Sequence, residues 1–219
     1  MTSPSQFRER LLERLAVVAP ARPNDVLTSL LSERQIDQLQ QYLELLRHWN
    51  RKINLTALPV DALGNPTIDR LFIEPLSAAR LFGRGPMRWA DFGSGGGSPA
   101  VPLKIACPAS GLTMVESRGR KAAFLREVTR ELGLSDVTVL GMRAEALETQ
   151  SIEPFELITI RAVRVDEPFM TLIHRQTAAG GRLILFTQAE SADAIDGFTR
   201  VDEVALKTTS SRIVVFQKG

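Results

Sequence analysis

Two rhythms divide the chain. Through residue 82 apolar side chains recur at helical spacing, and from residue 87 short apolar runs alternate with further helical repeats. Phe7, Leu11, Leu12, Leu15 and Val18 share one face and predict a helix over residues 5–18, and Pro20 to Asp25 reads as a loop. Ser32-Glu-Arg-Gln35 fits a capping box, and behind it Ile36, Leu39, Leu43, Leu46 and Trp49 carry one apolar face through residue 51. A third helix is predicted from Thr67 to Phe82, with Pro75 inside it to kink or split it and Gly83 just past its end.

The second half predicts strands at 87–92, 112–116, 136–140, 155–160, 181–187, 199–207 and 211–217. Helices fit between the first five, over 98–106, 118–132, 143–148 and 166–178, and a short one fits near 189–196. Strands alternating with helices imply a mainly parallel, doubly wound α/β sheet. The last two strands read as a hairpin-like pair that adds an antiparallel strand. The division expected is a helical extension over residues 1–84 and a core over 85–219, packed as one globular unit.

Composition narrows the class. The apolar share of 44% is ordinary for a soluble globular protein, and no apolar run reaches membrane-spanning length. The single cysteine, Cys107, rules out an internal disulfide and fits a reducing cytoplasm. Two histidines, His48 and His174, form no metal-ligand pattern, so no metal is expected. Net charge is only +2, with 22 arginines among the 27 basic residues. Arginine suits phosphate forks and base stacking, but a GC-rich genome also enriches it, so charge permits a nucleic-acid partner without requiring one.

Chemistry concentrates in Met87 to Val101, MRWADFGSGGGSPAV. It reads as a buried strand, a glycine turn and a helix start, whose free N–H groups attract electron-rich ligand atoms. Two nucleoside cofactors fit. Gly95-Gly-Gly97-Ser-Pro-Ala100 satisfies G-x-G-x-x-A, and Glu116 follows at the distance of a ribose diol, as NAD requires. Asp91, before the turn, disfavours a pyrophosphate and suits a cationic methionyl group, as in S-adenosylmethionine. The candidate cofactor residues around the turn are therefore Asp91, Gly93, Ser94, Gly95, Gly97, Ser98 and Glu116. A further wall is expected after the third strand, where Ala144 and Glu145 are placed for an adenine; Glu145 read alone is an ordinary first-turn carboxylate.

After the fourth strand comes Thr159-Ile-Arg161-Ala-Val-Arg164. The chain lacks N-P-P-Y or D-P-P-Y for an exocyclic amine and a Pro-Cys nucleophile for a pyrimidine carbon. Guanine N7 is a bare acceptor whose methylation needs alignment and no general base. Arg161, at the strand's carboxyl end, is the substrate-facing candidate, with a structural salt bridge as its alternative reading. Trp49 reads as core rather than as a stacking platform, and Arg118, Arg120, Lys121, Arg126 and Arg130 fit the solvated face of one helix.

These motifs together resemble the bacterial small-subunit ribosomal RNA guanine-N7 methyltransferases, the RsmG (GidB) family. The resemblance rests on His48-Trp-Asn50 with Asn54-Leu-Thr56, and on Asp91-Phe-Gly-Ser-Gly-Gly-Gly97 with Pro99 and Val101-Pro102-Leu103. It continues in Glu116-Ser117, Arg120-Lys121, Phe124-Leu125, Arg143-Ala144-Glu145 and Arg161-Ala162. It implies a class I, Rossmann-like methyltransferase fold with a seven-stranded sheet, S-adenosyl-L-methionine as cofactor, and 16S rRNA or the small ribosomal subunit as partner of a cytoplasmic monomer. It also implies that Gly93, Ser98, Ala144, Glu145 and Arg161 contact the cofactor, with Arg161 as the catalytic candidate. Asn54, Arg120, Lys121 and Arg164 fall on the RNA side. Departures stand at Leu71-Phe-Ile-Glu74-Pro75, where the family has H-x-x-D-S, at Ala100 in place of a glycine, and at Phe186-Thr187-Gln188 in place of L-K-G. Two alternatives stay open at this level. One is a divergent relative with another RNA substrate or a non-catalytic RNA-binding role; the other is an NAD-dependent oxidoreductase.

Overall fold

The computed structural model describes residues 4–18, 31–82, 85–161, 166–188, 195–206 and 211–219. Helix α1 (Pro4–Val18) and helix α2 (Glu33–Asn50) form where the apolar spacing predicts them. Both halves of the capping box at Ser32 are made, with Gln35 N donating to Ser32 Oγ and Ser32 N donating to Gln35 Oε1.

The third predicted helix is broken into α3 (Asn65–Ile68), a π turn (Asp69–Ile73), α4 (Glu74–Ala78) and a 3₁₀ turn (Ala79–Leu81). The break begins ahead of the proline rather than at it. Glu74 N reaches back five residues to Asp69 O, so Arg70 O loses its usual partner. Pro75 has no N–H to give to Leu71 O, four residues behind it. Two consecutive carbonyls are thereby released from the helix ladder, and both are used in the site below.

The sheet is β1 (Arg88–Phe92), β2 (Gly111–Val115), β3 (Val137–Leu140), β4 (Phe155–Arg161), β5 (Thr177–Thr187), β6 (Phe198–Ala205) and β7 (Arg212–Lys218). Their order is β3-β2-β1-β4-β5-β7-β6, parallel except for β7, which runs antiparallel between β5 and β6. Helices α5 (Ala100–Ala106), α6 (Gly119–Glu131) and α7 (Glu167–Gln176) connect the parallel strands. The connection after β3 is a 3₁₀ helix (Ala144–Thr149) rather than an α-helix. The short helix expected near 189–196, the loop at Pro20–Asp25 and Gly83 lie wholly or mostly outside the described residues.

Helix α2 is fastened across the ends of α5 and α6. Gln35 Nε2 donates to Ile105 O at 2.6 Å and Gln38 Nε2 to Leu132 O at 2.8 Å, meeting C-terminal carbonyls that the helices themselves leave open. One apolar core runs from Phe7, Leu11 and Leu15 of α1 through Leu39, Leu43 and Leu46 of α2 to Trp89 and Leu103, so extension and core share it. Trp49 packs on Phe124 and donates from Nε1 to Glu127. Among the described residues no helix is long and apolar enough to cross a membrane.

Candidate functional site

The parallel strands β1 and β4 end side by side, Phe92 opposite Ile160, and the chain leaves β1 through the glycine turn. Gly93 and Ser94 give their N–H groups to Val115 O, which pins the turn to β2. Gly97 takes φ +88°, and a Cβ there would stand 2.9 Å from Val101 Cγ2 and 3.4 Å from both Leu125 Cδ2 and Tyr42 Cε2. That position therefore accepts only glycine, for backbone conformation and for packing alike.

Beneath the turn lie two carboxylates. Asp91 is 1% exposed, and Thr159 Oγ1 donates to its Oδ1 at 2.6 Å. Burial pushes the Asp91 carboxyl up to about 6, against the pull of the Thr159 and Ser94 hydroxyls and the Arg161 charge. Glu116, at the end of β2, spends both oxygens on backbone: Gly95 N donates to Oε2 at 2.9 Å and Arg118 N to Oε1 at 2.8 Å. It ties the glycine turn to the start of α6.

Two clefts open above the turn and share Gly93. The first, of about 450 Å³, has Leu46, Leu55, Leu58 and Leu71 as apolar walls and Arg70, Lys121 and Arg161 as its charged ones; Ser94, Gly95, Gly96 and Ser98 complete its floor. The second, of about 570 Å³, runs past Val115, Met142, Ala144, Glu145, Asp166 and Phe169. Asp166 is also the N-cap of α7, accepting from Phe169 N at 3.1 Å.

Arg161 forms one wall of the first cleft and joins the two halves of the chain. Its Nη1 donates to Arg70 O at 2.7 Å and to Ser98 Oγ at 2.9 Å, and its Nη2 to Glu74 Oε2 at 2.9 Å. Ser98 Oγ in turn donates to Leu71 O. The two carbonyls freed by the π turn and by Pro75 are thus the ones that seat Arg161 and Ser98. The guanidinium lies 4.4 Å from the Phe186 ring centroid. Burial lowers the Arg161 pKa to about 10, with Glu74 holding it up, so the group stays charged at neutral pH.

The extension supplies the roof of this cleft. Asn50 Oδ1 accepts from Leu55 N and Thr56 N, and its Nδ2 donates to Thr56 O. This folds residues 55–58 over the turn. Leu55 O stands 3.2 Å from where a Cβ at Gly96 would be, and Tyr42 Oη donates to Gly96 O at 2.6 Å.

Of the residues singled out in the sequence, Gly93, Ser94, Gly95, Ser98, Lys121 and Arg161 line the first cleft, and Ala144 and Glu145 line the second. Asp91 and Glu116 sit beneath the turn, and Gly97 lines neither cleft. Asn54 and Arg120 are exposed outside both clefts, and Arg164 lies outside the described residues. Sequence reasoning missed Tyr42, Arg70 and Phe169, and gave no role of its own to Asn50. One signal was available: Tyr42 is the chain's only tyrosine, it falls on the apolar face of α2, and a buried hydroxyl needs a partner.

Comparison with known proteins agrees with the fold. Residues 35–218 match the family described as GidB, rRNA small subunit methyltransferase G. Proteins named ribosomal RNA small subunit methyltransferase G are 42% identical over 135 residues in Roseiflexus castenholzii and 38% identical over 167 residues in Chloroflexus aggregans. The aligned stretches cover 61% and 75% of this chain, but only 56% of the Roseiflexus protein against 69% of the Chloroflexus one. The chain therefore spans little more than half the length of the first of these relatives. Among solved structures, a variant of MtNAS in complex with S-adenosylmethionine has a TM-score of 0.60 at 18% identity, over 98% of this chain and 88% of that one. A SAM dependent methyltransferase from Aquifex aeolicus has a TM-score of 0.54 at 16% identity, over 73% of this chain and 96% of that one. The fold is the class I, Rossmann-like methyltransferase fold.

Proposed function

The chain belongs to the rRNA small subunit methyltransferase G family, and on that basis we propose that it transfers the methyl group of S-adenosylmethionine to N7 of a guanine in 16S rRNA. The observation that carries this reading is the meeting of two unlike clefts at Gly93. The second cleft, with Met142 and Phe169 as an apolar slot and Glu145 at its rim, fits the adenosine of the cofactor. The turn between the clefts, with Asp91 and Glu116 beneath it, fits a cationic methionyl group. The same carboxylates count against NAD. The Gly95 N–H that a pyrophosphate needs is already held by Glu116, and Asp91 adds a second negative group under the turn.

S-Adenosylmethionine supplies a methyl group on a sulfonium, which leaves as a neutral thioether. The task left to the protein is alignment. Guanine N7 offers a lone pair and no proton, so no base is required. The first cleft agrees, because no carboxylate or imidazole is among the described residues that line it. Arg161 holds its wall fixed through Arg70 O, Ser98 and Glu74, while residues 55–58 form the roof. We assign Asn54 and Arg120 to the RNA-facing surface outside the cleft, Arg164 to the RNA contacts, and a single copy acting in the cytoplasm on the small subunit or its RNA. The division of residues 1–84 from 85–219 goes with this split of labour, the extension shaping the substrate cleft and the core holding the cofactor.

The test is direct. Protein incubated with methyl-labelled S-adenosylmethionine and small subunits from cells lacking its gene should yield labelled N7-methylguanosine after digestion of the RNA. Tight cofactor binding without label would reject the transfer reaction, and absence of cofactor binding would reject the whole reading.

A further inference from the structure

The first cleft carries more positive charge than its contacts use. Arg161 gives Nη1 and Nη2 to neighbours already named. Arg70 gives only Nη1, to Glu74 Oε2 at 3.2 Å and Ser211 Oγ at 3.0 Å; its Nη2 and Nε carry no hydrogen bond among the described residues. Lys121, in the first turn of α6, has no hydrogen bond or ion pair among the described residues, and its ammonium lies 3.9 Å from where a Cβ at Gly95 would be. Glu74, 1% exposed, is shared between Arg70 and Arg161, and no carboxylate lines the cleft on the side of Lys121. Lys121 thus loses hydration with no counter-charge beside it among the described residues, and Arg70 shares its one carboxylate with Arg161.

We propose that Lys121 and Arg70 form an oxyanion site in the cleft above the glycine turn. It takes one singly charged oxyanion, with the planar fork of Arg70 on one part and the point charge of Lys121 on another. The proposal rests on the methyl-transfer reading, which offers two sources of such a group: the phosphodiester beside the target guanosine and the α-carboxylate of the methyl donor. Asn54 and Arg120 have no part in this site, because neither lines the cleft.

The experiment uses the full chain with Lys121→Met and Lys121→Arg, at a position outside the buried core, and with Arg70→Lys, which keeps the charge beside Glu74 and removes the fork. Three probes are titrated: S-adenosylhomocysteine, 5′-methylthioadenosine, which lacks the carboxylate, and a labelled RNA stem-loop across a range of salt. If the oxyanion is the carboxylate, K121M weakens S-adenosylhomocysteine about tenfold and leaves 5′-methylthioadenosine unchanged. If it is the phosphodiester, K121M leaves both nucleosides unchanged and lowers the slope of log affinity against log salt by about one. In either case K121R behaves as the parent protein and R70K weakens the same probe that K121M does. Unchanged affinity of K121M for all three probes overturns the site. If the parent protein binds RNA but neither nucleoside, the methyl-transfer reading falls, and the salt slope of K121M still decides whether the oxyanion site exists.

Discussion

On one side of Gly93 the cleft walls come from the connections of the sheet alone: the turn after β2, the residues after β3 and the first turn of α7. On the other side half of the lining belongs to residues 46–71 of the extension, and Arg70 and Arg161 are held by bonds that cross between extension and core. On the proposed reading the nucleoside end thus needs only what a sheet of this order provides, and the end for the second substrate is specified by the added helices. Damage to the crossing bonds should therefore separate the two clefts, leaving nucleoside recognition while removing transfer.

The largest separation is expected from Arg161→Ala. Removing Arg161 takes from buried Glu74 its 2.9 Å partner and leaves it only the 3.2 Å bond from Arg70, at a cost of about 3 kcal/mol. Urea unfolding should show that loss, and methyl transfer should vanish while folded protein still binds 5′-methylthioadenosine. A protein that kept transfer near the parental rate would show that the wall is dispensable and the comparison wrong.

Asp91 stands under both clefts and gives a pH signature. Its native pKa of about 6 lies above the ordinary 3.8. Below pH 3.8 both native and unfolded states hold the proton, so nothing is lost. Between that value and 6 the native state holds it and the unfolded state does not, so this contribution is lost as pH rises, by about 3 kcal/mol in all. Asp91→Asn should flatten the stability profile between pH 4 and 6. A cationic methionyl group favours the ionised carboxylate, so S-adenosylmethionine affinity should fall in the parent as pH drops below 6 and change less in the variant. Calorimetric titrations at several pH values measure both.

Pro75→Ala sharpens the comparison from the backbone side. Alanine restores an N–H for Leu71 O and improves the helix, so stability should hold or rise. Ser98 then competes for its acceptor, and the seat of Arg161 loosens. Transfer should fall about tenfold through misplacement, with nucleoside affinity in the second cleft unchanged. Equal activity in the two proteins would reduce the freed carbonyls to a local accident of helix geometry.

The elements and their order were legible in the sequence because their signals are local. Strand runs, the capping box at Ser32 and the glycine turn each lie within a few residues, and Asp91 and Gly93 fall within that turn's own stretch; Glu116, read from spacing as a ribose-diol ligand, instead gives both oxygens to backbone N–H groups of the turn and of the start of α6. The seat of Arg161 was not legible. Its partners Arg70 and Glu74 are 91 and 87 residues away, and what makes Arg70 O available is a π turn, which leaves the apolar spacing of residues 67–82 intact. Pro75 announced a break without saying which carbonyls it would release. Asn54 illustrates the converse. It stands in a segment that resembles a family motif, yet Asn50 makes the bonds that fold the roof, and the side chain of Asn54 is exposed.

The smallest effect expected is that of Tyr42→Phe, and it tests how the roof is coupled to the floor. The ring of Tyr42 packs edge-on against Phe72, 6.0 Å between centroids, and phenylalanine keeps that contact. What is lost is the bond from Tyr42 Oη to Gly96 O, which burial keeps intact by pushing the hydroxyl pKa well up. Loss of one buried hydrogen bond with its carbonyl left unpaired costs about 1–3 kcal/mol, and the floor of the cleft can recover part of this by turning Gly96 O toward water. Stability should therefore drop by about 1 kcal/mol. Gly96 lines the first cleft and not the second, so KM for the RNA substrate should rise a few-fold while affinity for 5′-methylthioadenosine stays at the parental value. A change in nucleoside affinity as large as the change in KM would mean that the turn moves as one body and that the two clefts cannot be separated at Gly93.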